Sequence, residues 1–292
     1  MTYSGQWPAP AKPAQPGVYA LRPLRVGEIL GHGIRIAGTN LILLVPLALV
    51  IGLAAAGIQI AILSAFGDLD TVASGRWVTL LRQPTQADTQ QLFTLSRHVL
   101  LATAGGGILT LLVAPVLAAI AAAGVAQAAT RRERNSAAVL ARLRGRWGSI
   151  LGTGLLAGAC IALGLILLVV PGVVVAIVLL PAGPVAAVEG GRPAANLRRA
   201  ARLTQGSRGR LFGITLLAAL CGGGVVFVFT QVVGGLLRVG TGTGGYVTLQ
   251  LAGAVIGAVT AAFTAAVTAL LYVDLRMRRE GLAEALARSV SR

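Results

Sequence analysis

From residue 150 to residue 188 the chain runs for 39 residues without one charged side chain, and an arginine-rich segment stands on either side. A helix at the surface of a water-soluble protein shows a polar face at the helical period, and this block has none. A bilayer core about 30 Å thick is crossed by roughly 20 apolar helical residues, so the block is long enough to cross twice. Pro171-Gly172, a turn-forming dipeptide, falls inside it and marks the expected reversal. Four more charge-free runs, residues 41–66, 99–123, 211–233 and 247–273, each suffice for one pass.

Charge decides how the long block is counted. Taken as two passes, 150–170 and 173–188, it gives six spans with both termini on one side. That side then receives Lys12, Arg22, Arg25 and Arg35, six arginines between 131 and 146, six between 192 and 210, and five between 276 and 292. These are twenty-one of the 25 Lys and Arg residues, and Arg76, Arg82, Arg97 and Arg238 fall on the other side. Cytoplasmic segments of membrane proteins are enriched in Lys and Arg. A single pass would send two arginine-rich segments outward, so six spans with cytoplasmic termini is the expected topology. The expected fold is an all-α polytopic membrane domain over 21–282, between cytoplasmic tails 1–20 and 283–292. Pro8, Pro10, Pro13 and Pro16 make the first tail a disordered lead-in, and no uninterrupted apolar segment there resembles a signal peptide.

Composition agrees: charged residues are 12% of the chain against about a quarter in soluble domains, and the mean hydropathy is +0.81. Lys12 is the one lysine among the basic residues. That bias, with abundant Ala and Gly, suits a GC-rich bacterial genome and hence a bacterial cytoplasmic (inner) membrane. Cys160 and Cys221 sit inside apolar runs and read as small packing residues.

Short amphipathic segments precede the odd-numbered spans. Val26, Leu30, Gly33, Ile34 and Ala37 share one helical face, opposite Glu28, His32, Arg35 and Thr39. Ser136 is placed to cap a helix showing Val139, Leu140, Leu143 and Trp147. Leu197, Ala200, Ala201 and Thr204 oppose Arg198, Arg199 and Arg202. These spacings predict helices lying in the membrane interface, and three repeats of a unit made of interfacial helix, span in, span out.

Three segments resemble one group of proteins. Leu21-Arg-Pro-Leu-Arg-Val-Gly-Glu-Ile-Leu30 resembles the opening motif of actinobacterial membrane proteins related to the membrane domain of glycerophosphoryl diester phosphodiesterases. Pro171-Gly172, Pro184, Glu189-Gly190, Arg202-Leu203-Thr204, Gly206 and Arg210-Leu-Phe-Gly213 resemble its central signature. Tyr272-Val-Asp-Leu-Arg-Met-Arg-Arg-Glu-Gly-Leu282 resembles its closing motif. The chain departs from the pattern at Gly31, where an acid is common, and at Ala200-Ala201, where aromatics are common. The resemblance implies a membrane domain alone. The phosphodiesterase reaction belongs to a TIM barrel of about 250 residues, for which six spans leave no room.

The chemistry-bearing residues are sparse. Of nine acids, none is expected inside a span, and the close pair Asp68 and Asp70 reads as part of a solvated loop. His32 and His98 fall on opposite sides of the membrane. Metal or acid–base catalysis needs convergent groups, and no cofactor motif is present, so no cofactor is expected. The residues favour a non-enzymatic integral membrane protein that scaffolds or regulates partners at the cytoplasmic membrane face. Its expected contacts are anionic lipid headgroups and a membrane or cytoplasmic protein partner, not nucleic acid, through Arg198, Arg199, Arg202, Arg208, Arg210, Arg276, Arg278 and Arg279. The alternative is a transporter or lipid-handling protein with a path along spans 2, 4 and 5. There Gly106 and Gly223 either pack helices or line the path, and Pro181 and Pro184 kink span 4. A membrane-bound phosphodiesterase, as the family name suggests, ranks third.

Overall fold

The computed structural model describes residues 26–39, 41–77, 80, 86–130, 136–236 and 242–280. Both expected tails lie outside the described residues. Within the described residues the regular elements are helices: α1 (Val26–Thr39), α2 (Leu41–Ala65), α3 (Leu69–Ala73), α4 (Gln86–Thr130), α5 (Ser136–Leu143), α6 (Trp147–Leu167), α7 (Val169–Leu179), α8 (Ala182–Val188), α9 (Pro193–Thr204), α10 (Arg208–Leu236) and α11 (Thr243–Glu280). Six helical stretches are long and apolar enough to cross a membrane: α2, α4, α6, Val169–Val188, α10 and α11. The chain is a polytopic all-α protein, and the order short helix, span, span recurs three times along it.

The 39-residue block does fold back on itself, but not at Pro171-Gly172. Leu168 is the reversal, extended at φ −160° and ψ 135° between α6 and α7. Pro171 lies in the first turn of α7, where its missing N–H would have had no helical partner in any case. Gly172 supplies closeness rather than a turn: a Cβ there would sit 2.5 Å from the Leu165 nitrogen, and one on Gly164 would sit 2.9 Å from the Gly172 Cα. The two passes are therefore Trp147–Leu167 and Val169–Val188, in place of 150–170 and 173–188. Pro181 interrupts the second pass as the N-cap of α8, whereas Pro184 sits buried in the first turn of α8.

The core lies toward the arginine-rich end, called here the basic end. Residues 116–123 of α4 and 265–272 of α11 are almost continuously buried, on all sides of their helices. Half of these residues are alanine, so neither helix shows the one-sided apolar stripe of a soluble helix, and both can be approached all round. α4 packs on α2, α6, α8 and α11, while α11 packs on α1, α2, α4 and α10. Small residues set these distances. A Cβ on Gly158 would meet Leu112 Cα at 2.8 Å, and one on Gly183 would come within 2.0 Å of the Pro115 carbonyl oxygen.

The short helices pack against the spans, and each docks differently. α1 lies against α11, α5 against α4, and α9 against α6, α7, α8 and α11. The buried face of α1 is Ile29, Gly33, Ile36 and Ala37, while Val26 and Ile34, expected inside, are exposed. The pattern is shifted because Gly33 admits α11: a Cβ there would meet Val267 at 2.9 Å. In α5, Val139 and Leu143 are buried and Leu140 is exposed. In α9, Asn196 and Leu203 join Ala200 and Thr204 inside.

Gly183→Ala is expected to destabilise the protein by about 1–3 kcal/mol or more, the range for overpacking a tight interior. Gly107→Ala, where nothing lies within 4 Å of the added carbon, is expected to hold or raise the melting temperature in detergent. Thermal unfolding of the two variants side by side is the check.

Candidate functional site

At the C-terminus of α8 the chain must turn sharply to begin α9. Gly190 and Gly191 carry the turn at φ +72° and +109°, a region open to glycine, and Pro193 starts the next helix as its first residue. Arg146, at the start of α6, donates through Nη1 to the carbonyls of Ala187 at 2.7 Å and Val188 at 2.9 Å. A cation at a helix C-terminus satisfies its orphan carbonyls and complements its dipole. Buried Asn196 donates to Ser149 Oγ at 3.0 Å and Thr153 Oγ1 at 2.9 Å, and Ser149 donates to the Gly191 carbonyl at 2.7 Å. The α8–α9 corner is thereby pinned to α6.

This corner aims Glu189 at α9 and α11. Arg199 Nε donates to Glu189 Oε2 at 2.8 Å, and Tyr272 Oη donates to Oε1 at 2.9 Å. Arg199 also donates to Glu280, which accepts Arg276 Nε at 2.9 Å. The Arg276 guanidinium stands 5.8 Å from the centre of the Tyr272 ring, within cation–π reach. The Glu189 carboxylate, with Glu280 adding to it, holds the Arg199 guanidinium above its ordinary value against the opposing effect of burial. Arg199 is therefore a fixed charge.

A second set closes alongside. Asp274 is 1% exposed, accepts Arg210 from α10, and accepts Arg278 Nε at 3.1 and 3.0 Å on its two oxygens. An isolated buried carboxylate is costly, and two guanidinium partners meet that cost here. Together the two sets form a clasp that ties α8, α9, α10 and α11 at the basic end. No acid was expected inside a span and the last span was expected to stop at 273; Asp274 instead sits buried in the unbroken α11. The helix continues because nothing between Val273 and Glu280 breaks it, and because Asp274 has partners within reach.

The eight arginines expected to meet partners thus divide. Arg199, Arg210, Arg276 and Arg278 are engaged by carboxylates of the same chain. Arg198, Arg202, Arg208 and Arg279 are exposed. Sequence reasoning did not see Glu189, Tyr272 and Asp274 as acceptors or donors in this network. They were present as letters of the central and closing motifs, but their partners lie up to 83 residues away.

The opposite end carries a part-buried polar contact between α4 and the end of α2. His98 Nδ1 lies 2.5 Å from Asp68 Oδ2, and the His98 ring stacks on Phe66 with centroids 4.0 Å apart. Asp68 is thus not one of a solvated pair: it joins the end of α2 to α4, while exposed Asp70 faces Arg76 at 3.8 Å.

Between the two ends lies a cavity of about 570 Å³ among α2, α4, α6, α7, α10 and α11. Gly223 lines it, but Gly106 does not, since a Cβ on Gly106 would stand 2.9 Å from the Ala55 carbonyl oxygen of α2. Neither glycine triplet breaks its helix: α4 runs through Gly105-Gly106-Gly107 and α10 through Gly222-Gly223-Gly224. Pro181 and Pro184 shape span 4 without lining the cavity.

No family model, curated protein or solved structure matches the chain. The fold and site define a class: a polytopic all-α protein with a cross-linked polar clasp at its arginine-rich end and an apolar cavity within its helices.

Asp274→Ala removes the carboxylate that two guanidinium groups share, and about 3–5 kcal/mol is the range for removing one partner of a buried ion pair. Partial exposure of the two arginines places the expected loss toward the lower end. Arg198→Ala, outside the clasp, is expected to stay within about 0.5 kcal/mol of the parent. Melting temperature and the folded fraction in mild detergent read both.

Proposed function

We propose that the protein is a non-enzymatic integral membrane protein of a bacterial cytoplasmic membrane, whose basic end faces the cytoplasm and organises or regulates partners there. The observation that carries this reading is the division of the arginines. Four are spent on holding the fold, and four, Arg198, Arg202, Arg208 and Arg279, are turned outward from the same rigid end. Exposed arginines beside a membrane attract anionic headgroups, at about 1 kcal/mol each, and their planar forks suit the carboxylates of an acidic partner surface. The carboxylates Glu189, Asp274 and Glu280 are engaged by arginines, which leaves them poorly placed for acid–base work and supports the non-enzymatic reading.

The three motif segments support kinship with the membrane-domain proteins related to glycerophosphoryl diester phosphodiesterases. In that reading the central and closing motifs are two halves of one clasp: Glu189 and Arg210 come from the first, Tyr272 and Asp274 from the second. A lipid-handling role is the second reading, favoured by the cavity.

Replacing Arg198, Arg202, Arg208 and Arg279 together by Gln is expected to abolish recovery of the partner in mild-detergent purification with quantitative mass spectrometry. Insertion and melting temperature are expected to stay unchanged, because none of the four belongs to the clasp. Undiminished recovery of the same partner with the quadruple variant would refute the scaffold reading. Arg199→Gln is not a valid substitute in this test, since it opens the clasp.

A further inference from the structure

The cavity is lined by small and aliphatic residues, and among the described residues its polar side chains are Thr110, Thr260, Thr264 and Thr268. Each of these hydroxyls already donates to its own helix: Thr110 to the Gly106 carbonyl at 3.0 Å, and Thr260, Thr264 and Thr268 to carbonyls of Gly257, Thr260 and Thr264 at 2.9 Å. Among the described residues no charged group lines the space. A bound water needs roughly two to four polar partners, and an ion or polar solute needs more; the lining hydroxyls offer them no uncommitted donor. The chemistry selects an apolar occupant.

Position and access narrow the choice. The lining comes from the middle of the spans: Gly52 in α2, Ala114 in α4, Gly223 in α10, Gly257 in α11. α7 and α10 both line the cavity yet touch at few positions, because α10 leans on α11 along its length. Val174 of α7 and Leu220 of α10 are exposed apolar residues, as suits surface in contact with lipid tails. The wall at Gly223 and Gly257 is open, with nothing within 4 Å of where a Cβ would stand. The volume falls within the roughly 300–1,000 Å³ of small-molecule sites.

We propose that the cavity is a binding site for one acyl chain of a membrane phospholipid, admitted sideways between α7 and α10 with its headgroup left at the membrane surface. The chain is the recognised element, so selectivity is for a linear apolar tail rather than for a headgroup. This inference goes beyond the reading of the basic end and does not rest on it: the exposed arginines take no part in it.

The test uses the full chain in vesicles containing a phosphatidylglycerol with a diazirine midway along one acyl chain. Adducts formed on irradiation are mapped by mass spectrometry. The parent protein is expected to carry adducts at Ala219, Gly222 and Gly223 and at Thr260, Thr264 and Thr268, in addition to outward positions such as Leu220 and Val228. Gly223→Leu with Gly257→Leu, or Ala176→Phe from the opposite wall, fills the space and is expected to lower the cavity adducts by roughly tenfold, about 1.4 kcal/mol in affinity. Outward adducts and melting temperature are expected to hold. Gly224→Leu, also open but outside the lining, is expected to label like the parent. A phosphatidylcholine probe with the same chain is expected to give the same adducts.

Cavity labelling that survives both filled variants, or labelling confined to outward residues in the parent, overturns the proposal. Preferential labelling by a branched isoprenoid probe overturns the acyl assignment. The quadruple arginine variant is expected to retain full cavity labelling, so failure here and failure of the scaffold reading are separate results.

Discussion

The buried carboxylate of Asp274 is the constraint around which the basic end is organised. Inside a bilayer, lipid tails are as apolar as leucine, so helices gain little hydrophobic free energy by meeting one another. What selects one arrangement of helices is close packing and the satisfaction of buried polar groups. Asp274 can be accommodated only where Arg210 of α10 and Arg278 of its own helix reach it, which fixes the rotation of α11 relative to α10. Glu189 then does the same for α8 and α9, through Arg199 and Tyr272.

Close packing completes the arrangement from within the membrane. α4 receives α6 through Gly158 and receives α8 through Gly183, each at a distance that a side chain would forbid, and Gly154 makes a further tight contact with α4. These contacts bring α8 near the bundle axis, so that Glu189 at its end stands above α11 rather than at the periphery. α10 has no comparable contact with α4. It is held by α11 and by the clasp, and the apolar space between α10, α7 and the central helices follows from that absence of close packing.

Division of labour among the arginines links fold to function. An arginine bonded to a buried carboxylate is part of the scaffold, whereas one projecting outward is available to headgroups or to an acidic surface. Neighbours in sequence differ in this respect: Arg198 is exposed and Arg199 is clasped, Arg278 pairs with Asp274 and Arg279 lies over Gly206. The alternation arises because successive residues of a helix point about 100° apart, so a basic run necessarily supplies both roles.

Six spans, and the gathering at one end of the described arginines of α9 and the last turns of α11, were legible in the sequence because both are local sums. A charge-free run of about 20 residues is a spanning helix whatever surrounds it, and the 39-residue block had to cross twice for the arginines to share a side. The turn in that block was misplaced by a few residues, since Pro171 is as well suited to the first turn of a helix as to a loop, and only the contact of Gly164 with Gly172 distinguishes the two. Gly106 and Gly223 likewise look alike in the sequence; one is pressed against Ala55 and the other opens on a cavity. Such differences depend on how the helices are rotated and stacked, and that rotation is settled by partners 64 to 83 residues apart, such as Arg210 with Asp274 and Glu189 with Tyr272. The sequence by itself determined which segments enter the membrane and which end is basic. Tertiary structure alone decided which arginines are bound and which glycines leave room, because both are properties of pairs of helices and not of either one.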